Sequence, residues 1–105
     1  MSLSTEVKDN YMLVKVLANL DAHLALEARV GFSELIENAD RNVILDLSQV
    51  AKIDPSGVGA IVFLFKRLRV LGFNLELKEL QEQPFDYIKG LQMNEVIRVS
   101  KKSKE

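Results

Sequence analysis

The chain has 105 residues, 48% apolar and 28% charged, which is the balance of one ordinary globular domain. Its 14 Lys and Arg stand against 15 Asp and Glu, so no overall charge attracts it to nucleic acid or to an anionic membrane. With no cysteine there is no disulfide scaffold, thiol nucleophile or thiolate metal site. No run reaches the ~18 uninterrupted apolar residues of a membrane span. The N-terminus lacks the profile of a signal peptide, and a cytoplasmic domain is the expectation.

"EVKDNYMLVKVL" holds two β-like runs split by Asp9-Asn10, a pair that tolerates the positive φ of a tight turn, so the chain is expected to open with a hairpin. The period then changes. Leu24, Ala28, Gly31 or Phe32, and Leu35 recur at helical spacing, with Asp21 placed as the N-cap and Asn38 to Asn42 as the polar exit. "VILDL", Val43 to Leu47, is short and β-branched and reads as a central strand buried on both faces. Ser48 to Ile53 connects it to "DPSG", which opens a second helix running to about Leu71 and ending at Gly72. "FNLELKEL" alternates as a strand, "PFDYIKGLQM" reads as a short helix opened by Pro84, and "EVIRV" is a last strand. Residues 1–99 thus make one domain, with Ser100 to Glu105 a short charged tail. A hairpin followed by alternating helices and strands predicts an α/β fold with a single mixed, mostly parallel sheet packed against helices. Asp21 and Ser56 both fall at strand-to-helix junctions, where such folds place their working residues.

Around the second helix, Gly57, Ile61, Leu64, Leu68 and Leu71 gather on one side as the core face, with Gly57 and Gly59 read as packing tightly on a strand. Val58, Val62 and Phe65 make a second apolar stripe, beginning beside Ser56 and ending at Lys66 and Arg69. A neighbouring element covers such a stripe, or another protein does. Asp54 and Pro55 account for an ordinary helix start with no further role for Ser56. A phosphate on Ser56 would be tolerated at a helix N-terminus, yet it would bring a charge of about −1.5 to −2 to the rim of an apolar stripe, beside Asp54.

"VILDLSQVAKIDPSGVGAIVFLFKRLRVLGFNLEL" resembles the STAS domain (sulfate transporter and anti-sigma factor antagonist), whose signature is a strand ending in Asp-Leu-Ser, then Asp-Ser-Ser-Gly opening a helix. "ANLDAHLALEARVGFSELI" is similar to the family's Gly-x-Leu-Asp turn and first helix. The resemblance implies helices mainly on one face of the sheet, no catalysis and no cofactor. It implies an anti-anti-sigma factor: the unphosphorylated form binds an anti-sigma factor with serine-kinase activity, phosphorylation on Ser56 switches binding off, and a phosphatase reverses it. Asp21 and Asp54 match the family's acidic positions. Pro55 replaces the usual first serine, and Ala18 stands where the turn usually has glycine. The chain ends soon after its last strand, so the final helix of many members is expected to be short or missing, leaving apolar surface for a partner or a second copy. The contact set is Asp21, Asp54, Pro55, Gly57, Val58, Val62 and Phe65, with Lys66 and Arg69 at its rim. The alternative within the family is an accessory subunit of an ABC transporter ATPase or of a stress-signalling complex.

Other classes fit less well. A serine nucleophile needs a base, and the single histidine, His23, reads as solvated; the Gly-x-Ser-x-Gly elbow is missing because Asp54 holds its first glycine position. "GVG" lacks the third glycine of a dinucleotide loop. Asp46 alone ends the central strand, short of the acid cluster a receiver domain uses for magnesium, and reads as a turn-capping group.

Overall fold

The structure is a computed structural model and describes residues 3–103. Strands β1 (Leu3–Val7) and β2 (Tyr11–Val16) form the expected antiparallel hairpin. Helix α1 (Ala25–Glu37) leads to β3 (Asn42–Asp46), α2 (Pro55–Val70) to β4 (Leu75–Leu80), and α3 (Glu82–Gly90) with a short 3-10 turn at Met93–Glu95 to β5 (Arg98–Lys101). Spatial order follows chain order, β1-β2-β3-β4-β5, and every pairing after the hairpin is parallel. Each parallel step is made by a helix, as a crossover between parallel neighbours requires.

Register explains the layering. Val14, Leu45 and Leu77 pair across the sheet and are fully buried, together with Val43 and Leu75 one row away. Ala28 and Phe32 of α1 and Ala60, Ile61, Leu64 and Leu68 of α2 belong to the same buried cluster. The opposite face carries the row Leu13, Ile44, Glu76 and Arg98 and the row Lys15, Asp46 and Lys78, none of them buried. The reading of Val43 to Leu47 as a strand buried on both faces is therefore corrected. Ile44 and Asp46 point to the face that carries no core, and the apolar run is continuous because Ile44 covers half-buried sheet surface there.

Several boundaries also move. Leu71, expected on the core face, is 47% exposed. It is the C-cap residue, and the chain turns away behind it. Gly72 takes φ 89°, Gly72 N–H donates to the Arg69 carbonyl and Phe73 N–H to the Leu68 carbonyl, closing the helix in a Schellman motif. Helix α3 begins two residues before Pro84, and Gln92 with φ 61° separates it from the 3-10 turn, so "PFDYIKGLQM" is not one helix. Glu95 lies in that turn rather than in the last strand, and β5 instead takes in Ser100 and Lys101. Glu79 has φ 62°, where the β4–β5 register shifts between Leu77 and Leu80. The last two residues of the expected tail lie outside the described residues.

Candidate functional site

Two loops meet where β2 and β3 end. Leu20, in the first, and Ile53, in the second, form an isolated parallel bridge. Leu20 N–H donates to the Lys52 carbonyl at 3.0 Å, and Asp54 N–H donates to the Leu20 carbonyl at 3.2 Å. Asn19 tightens the join: its Oδ1 accepts from the N–H groups of Ala51 and Lys52 at 2.9 and 3.2 Å. On the other side of Ile53, Gln83 of α3 behaves like a strand partner. Its Oε1 accepts from Ile53 N–H at 2.9 Å and its Nε2 donates to the Ile53 carbonyl at 3.0 Å. Gln81 Nε2 donates to the Ser48 carbonyl at 2.8 Å, and Asp46 Oδ1 accepts from Ser48 N–H at 2.8 Å, the turn-capping role its position suggested.

The start of α2 is built on this frame. Asp54 is its N-cap, with Oδ1 accepting from Gly57 N–H at 3.1 Å, and Pro55 occupies the first turn, where no N–H is needed. The second oxygen of Asp54 reaches the other loop and accepts from Ala22 N–H at 2.8 Å. Asp21 organises the turn before α1: its Oδ1 accepts from His23 and Leu24 N–H, and its carbonyl accepts from Ala25 N–H at 2.7 Å. Both carboxylates thus accept from backbone N–H groups, Asp21 through one oxygen and Asp54 through both, and Asp54 ties the two loops together.

Gly57 is buried, and a Cβ there would collide with the Leu20 carbonyl and lie 2.7 Å from the Leu20 Cβ. The glycine reading is corrected at two points. Gly57 packs on a loop carbonyl rather than on a regular strand, and Gly59 packs on nothing, since a Cβ there would meet no atom within 4 Å. Ser56 lies between Pro55 and Gly57 with an exposed side chain that makes no hydrogen bond to the described residues. It is held by its neighbours rather than by its own hydroxyl.

The stripe of Val58, Val62 and Phe65 is divided. All three are half-buried, and Val58 and Phe65 pack against the core, leaving Val62 outside it. The two rim cations separate as well. Lys66 lies with Gly59 and Val62 along one pocket. Arg69 stacks over Phe65 at 5.5 Å and lines a different cavity of about 510 Å³, reached by Tyr11, Asn42 and Leu75 where three strands begin. The most exposed large apolar side chains among the described residues are elsewhere, at Leu26 (74%) on α1 and Val70 (84%) at the end of α2. Sequence reasoning missed Asn19, Gln81 and Gln83. Each acts on backbone about thirty residues away, so no local pattern announces it. No group of three or more metal-ligating side chains is gathered among the described residues.

A one-sided α/β layer whose second helix is capped by Asp54 and opens on an exposed serine belongs to a known class. The STAS domain family matches residues 2–105, and the chain belongs to that family. Its fold is shared by a candidate anti-sigma factor antagonist of Thermotoga maritima, at 19% identity and TM-score 0.84, covering 93% of this chain and 85% of that one. It is shared by the phosphorylated form of the Bacillus cell fate determinant SpoIIAA, at 17% identity and TM-score 0.70, covering 98% and 92%. It also matches a segment of the murine anion transporter Slc26a9, at 17% identity and TM-score 0.73, covering 93% of this chain and 17% of the transporter. Among the described residues no helix is long and apolar enough to cross a membrane.

Proposed function

We propose that this chain is an anti-sigma factor antagonist. In its unphosphorylated form it binds an anti-sigma factor that is also a serine kinase, and phosphorylation of Ser56 ends the binding. The observation that carries the reading is the exposed Ser56 side chain on a loop fixed by Asp54, Gly57 and the Leu20–Ile53 bridge. In the transfer, Ser56 Oγ attacks the γ-phosphorus of ATP, the bond to the bridging oxygen of the ADP leaving group breaks, and the hydroxyl proton passes to a base on the kinase. The product adds about −1.5 to −2 charge next to Asp54, whose two oxygens already accept backbone N–H groups. The free domain tolerates this charge because it lies at a helix N-terminus, whereas a docked partner must desolvate it. Pro55 precedes the acceptor and is exposed, and with Asp21, Val58, Val62 and Lys66 it makes the proposed contact surface; Gly57, expected in that surface, is buried against Leu20 and acts by shaping the loop. The likeness to SpoIIAA, whose phosphorylated form has been solved, supports the same reading.

The test is capture from the source organism's lysate with wild type, Ser56→Ala and Ser56→Asp, followed by mass spectrometry. Recovery of one ATP-binding serine kinase by wild type and Ser56→Ala, with loss in Ser56→Asp, is expected. Recovery of a transporter ATPase indifferent to both changes overturns the switch and makes the chain a transport accessory subunit.

A further inference from the structure

One turn beyond Ser56 lies a surface pocket of about 420 Å³, lined by Arg29 of α1 and by Gly59, Val62, Phe63, Lys66 and Arg67 of α2. Two observations there are unexplained by the fold. The first is Gly59. It sits inside a 16-residue helix, where glycine weakens the helix, and it makes no close approach within the chain that a methyl group would block. The second is the charge. Arg29 and Arg67 stack over the Phe63 ring, 4.5 and 5.9 Å from its centroid, and Lys66 stands beside them. Among the described residues the ion pairs are Lys8–Glu6 and Arg41–Asp40, so these three cations have no carboxylate partner.

We infer that this pocket is the receptor for a carboxylate-bearing segment of the protein that docks at Ser56, with Gly59 as the notch that lets that segment approach the helix backbone. The inference rests on the antagonist reading and names the chemistry of its partner. The charge complementarity is specific in form. A guanidinium stacked on an aromatic face keeps its N–H edge free, and that edge matches a carboxylate in bidentate geometry. The floor is apolar, from Val62 and Phe63, so the acid reaches the cations across a surface that sheds water. The pocket also gives the switch a range. Ser56 to Phe63 spans roughly 10 Å of helix axis, about one screening length at physiological salt. A phosphate on Ser56 therefore repels the same acidic segment that the pocket attracts.

The probe is a short peptide of alternating Glu and Ala, titrated into the 15N-labelled domain at low and at high salt, with its Gln counterpart as control. The expected result is salt-sensitive shifts at Gly59, Phe63 and the Arg29 side chain, with Arg29→Glu and Lys66→Glu each weakening binding about fivefold. Gly59→Ala is expected to raise the Tm of the free domain and to weaken peptide binding. Equal binding of the Gln peptide, shifts confined to other surfaces, or a lower Tm for Gly59→Ala would each overturn the inference. The two proposals fail separately. Kinase capture by Ser56→Ala without peptide binding overturns the acidic receptor alone. Salt-sensitive binding at the pocket with no kinase captured upholds the receptor and overturns the antagonist reading.

Discussion

Gly57 lies so close to the carbonyl of Leu20 that no side chain fits between them. The contact joins the head of α2 to the loop before α1, and it sits directly after Ser56. Gly57→Ala must push the loops apart, at a cost of about 1–3 kcal/mol. Urea unfolding should show a lower midpoint with an unchanged slope. Because the displaced loop carries Asp21, partner binding should fall by more than the stability loss alone would cause.

Asp54 serves two loops with one carboxylate. Removing it in Asp54→Ala leaves the N–H groups of Gly57 and Ala22 without acceptors, and the loss should be about 1–2 kcal/mol. Hydrogen exchange separates this from simple fraying of α2. The Ala22 amide, in the other loop, should exchange faster together with Gly57; protection unchanged at Ala22 would mean that the cross-loop bond carries no stability.

Gln83→Ala should cost about 1–2 kcal/mol by freeing both polar groups of Ile53. Its diagnostic effect is on the serine loop. Amide exchange at Ile53 should accelerate while the centre of α3 stays protected.

Ser56→Asp should leave the fold intact. The side chain is exposed in the first turn of α2, where a negative charge is favourable by about 0.3–1 kcal/mol. The midpoint of thermal unfolding should stay level or rise slightly. A large fall would mean that loss of partner binding in this variant reflects unfolding rather than charge.

At the opposite end of the sheet, Arg41 Nη1 donates to the Lys8 carbonyl at 2.6 Å while its Nε donates to Asp40 at 2.8 Å, pinning the β1–β2 turn to the start of β3. The hydrogen bond from Arg41 holds the Asp40 carboxyl below its ordinary value. A depressed folded value means the contribution is present at neutral pH and fades as pH falls through the folded value. In Asp40→Asn that acid-side decline should shrink, and an NMR titration of Asp40 in Arg41→Ala should show its carboxyl moving back up.

The parts legible in the sequence are those encoded by neighbours along the chain. Asp54-Pro55 announced a helix start, and Ile61, Leu64 and Leu68 the face that packs on the sheet; the hairpin forms around Asp9-Asn10, though neither residue takes the positive φ that the pair suggested. What stayed illegible depends on tertiary placement. Ile44 is indistinguishable in type from buried Leu45, and only the one-sided layering tells them apart. Leu71 has the right helical phase but lies where the helix ends. Gly57 and Gly59 read alike, yet one is pressed against a carbonyl and the other faces open space. Gln83 and Asn19 act as substitutes for backbone, a role that no periodicity marks.

Ile53 is gripped on both sides, by Leu20 in one direction and by Gln83 in the other, three residues before Ser56. A group attached to that serine therefore arrives on an anvil rather than on a spring. On the proposed reading its presence or removal would change the charge that the surface displays, over a backbone held by Leu20 and Gln83. A switch of that kind would be written and erased at the speed of the chemistry, with no refolding step between one state and the next.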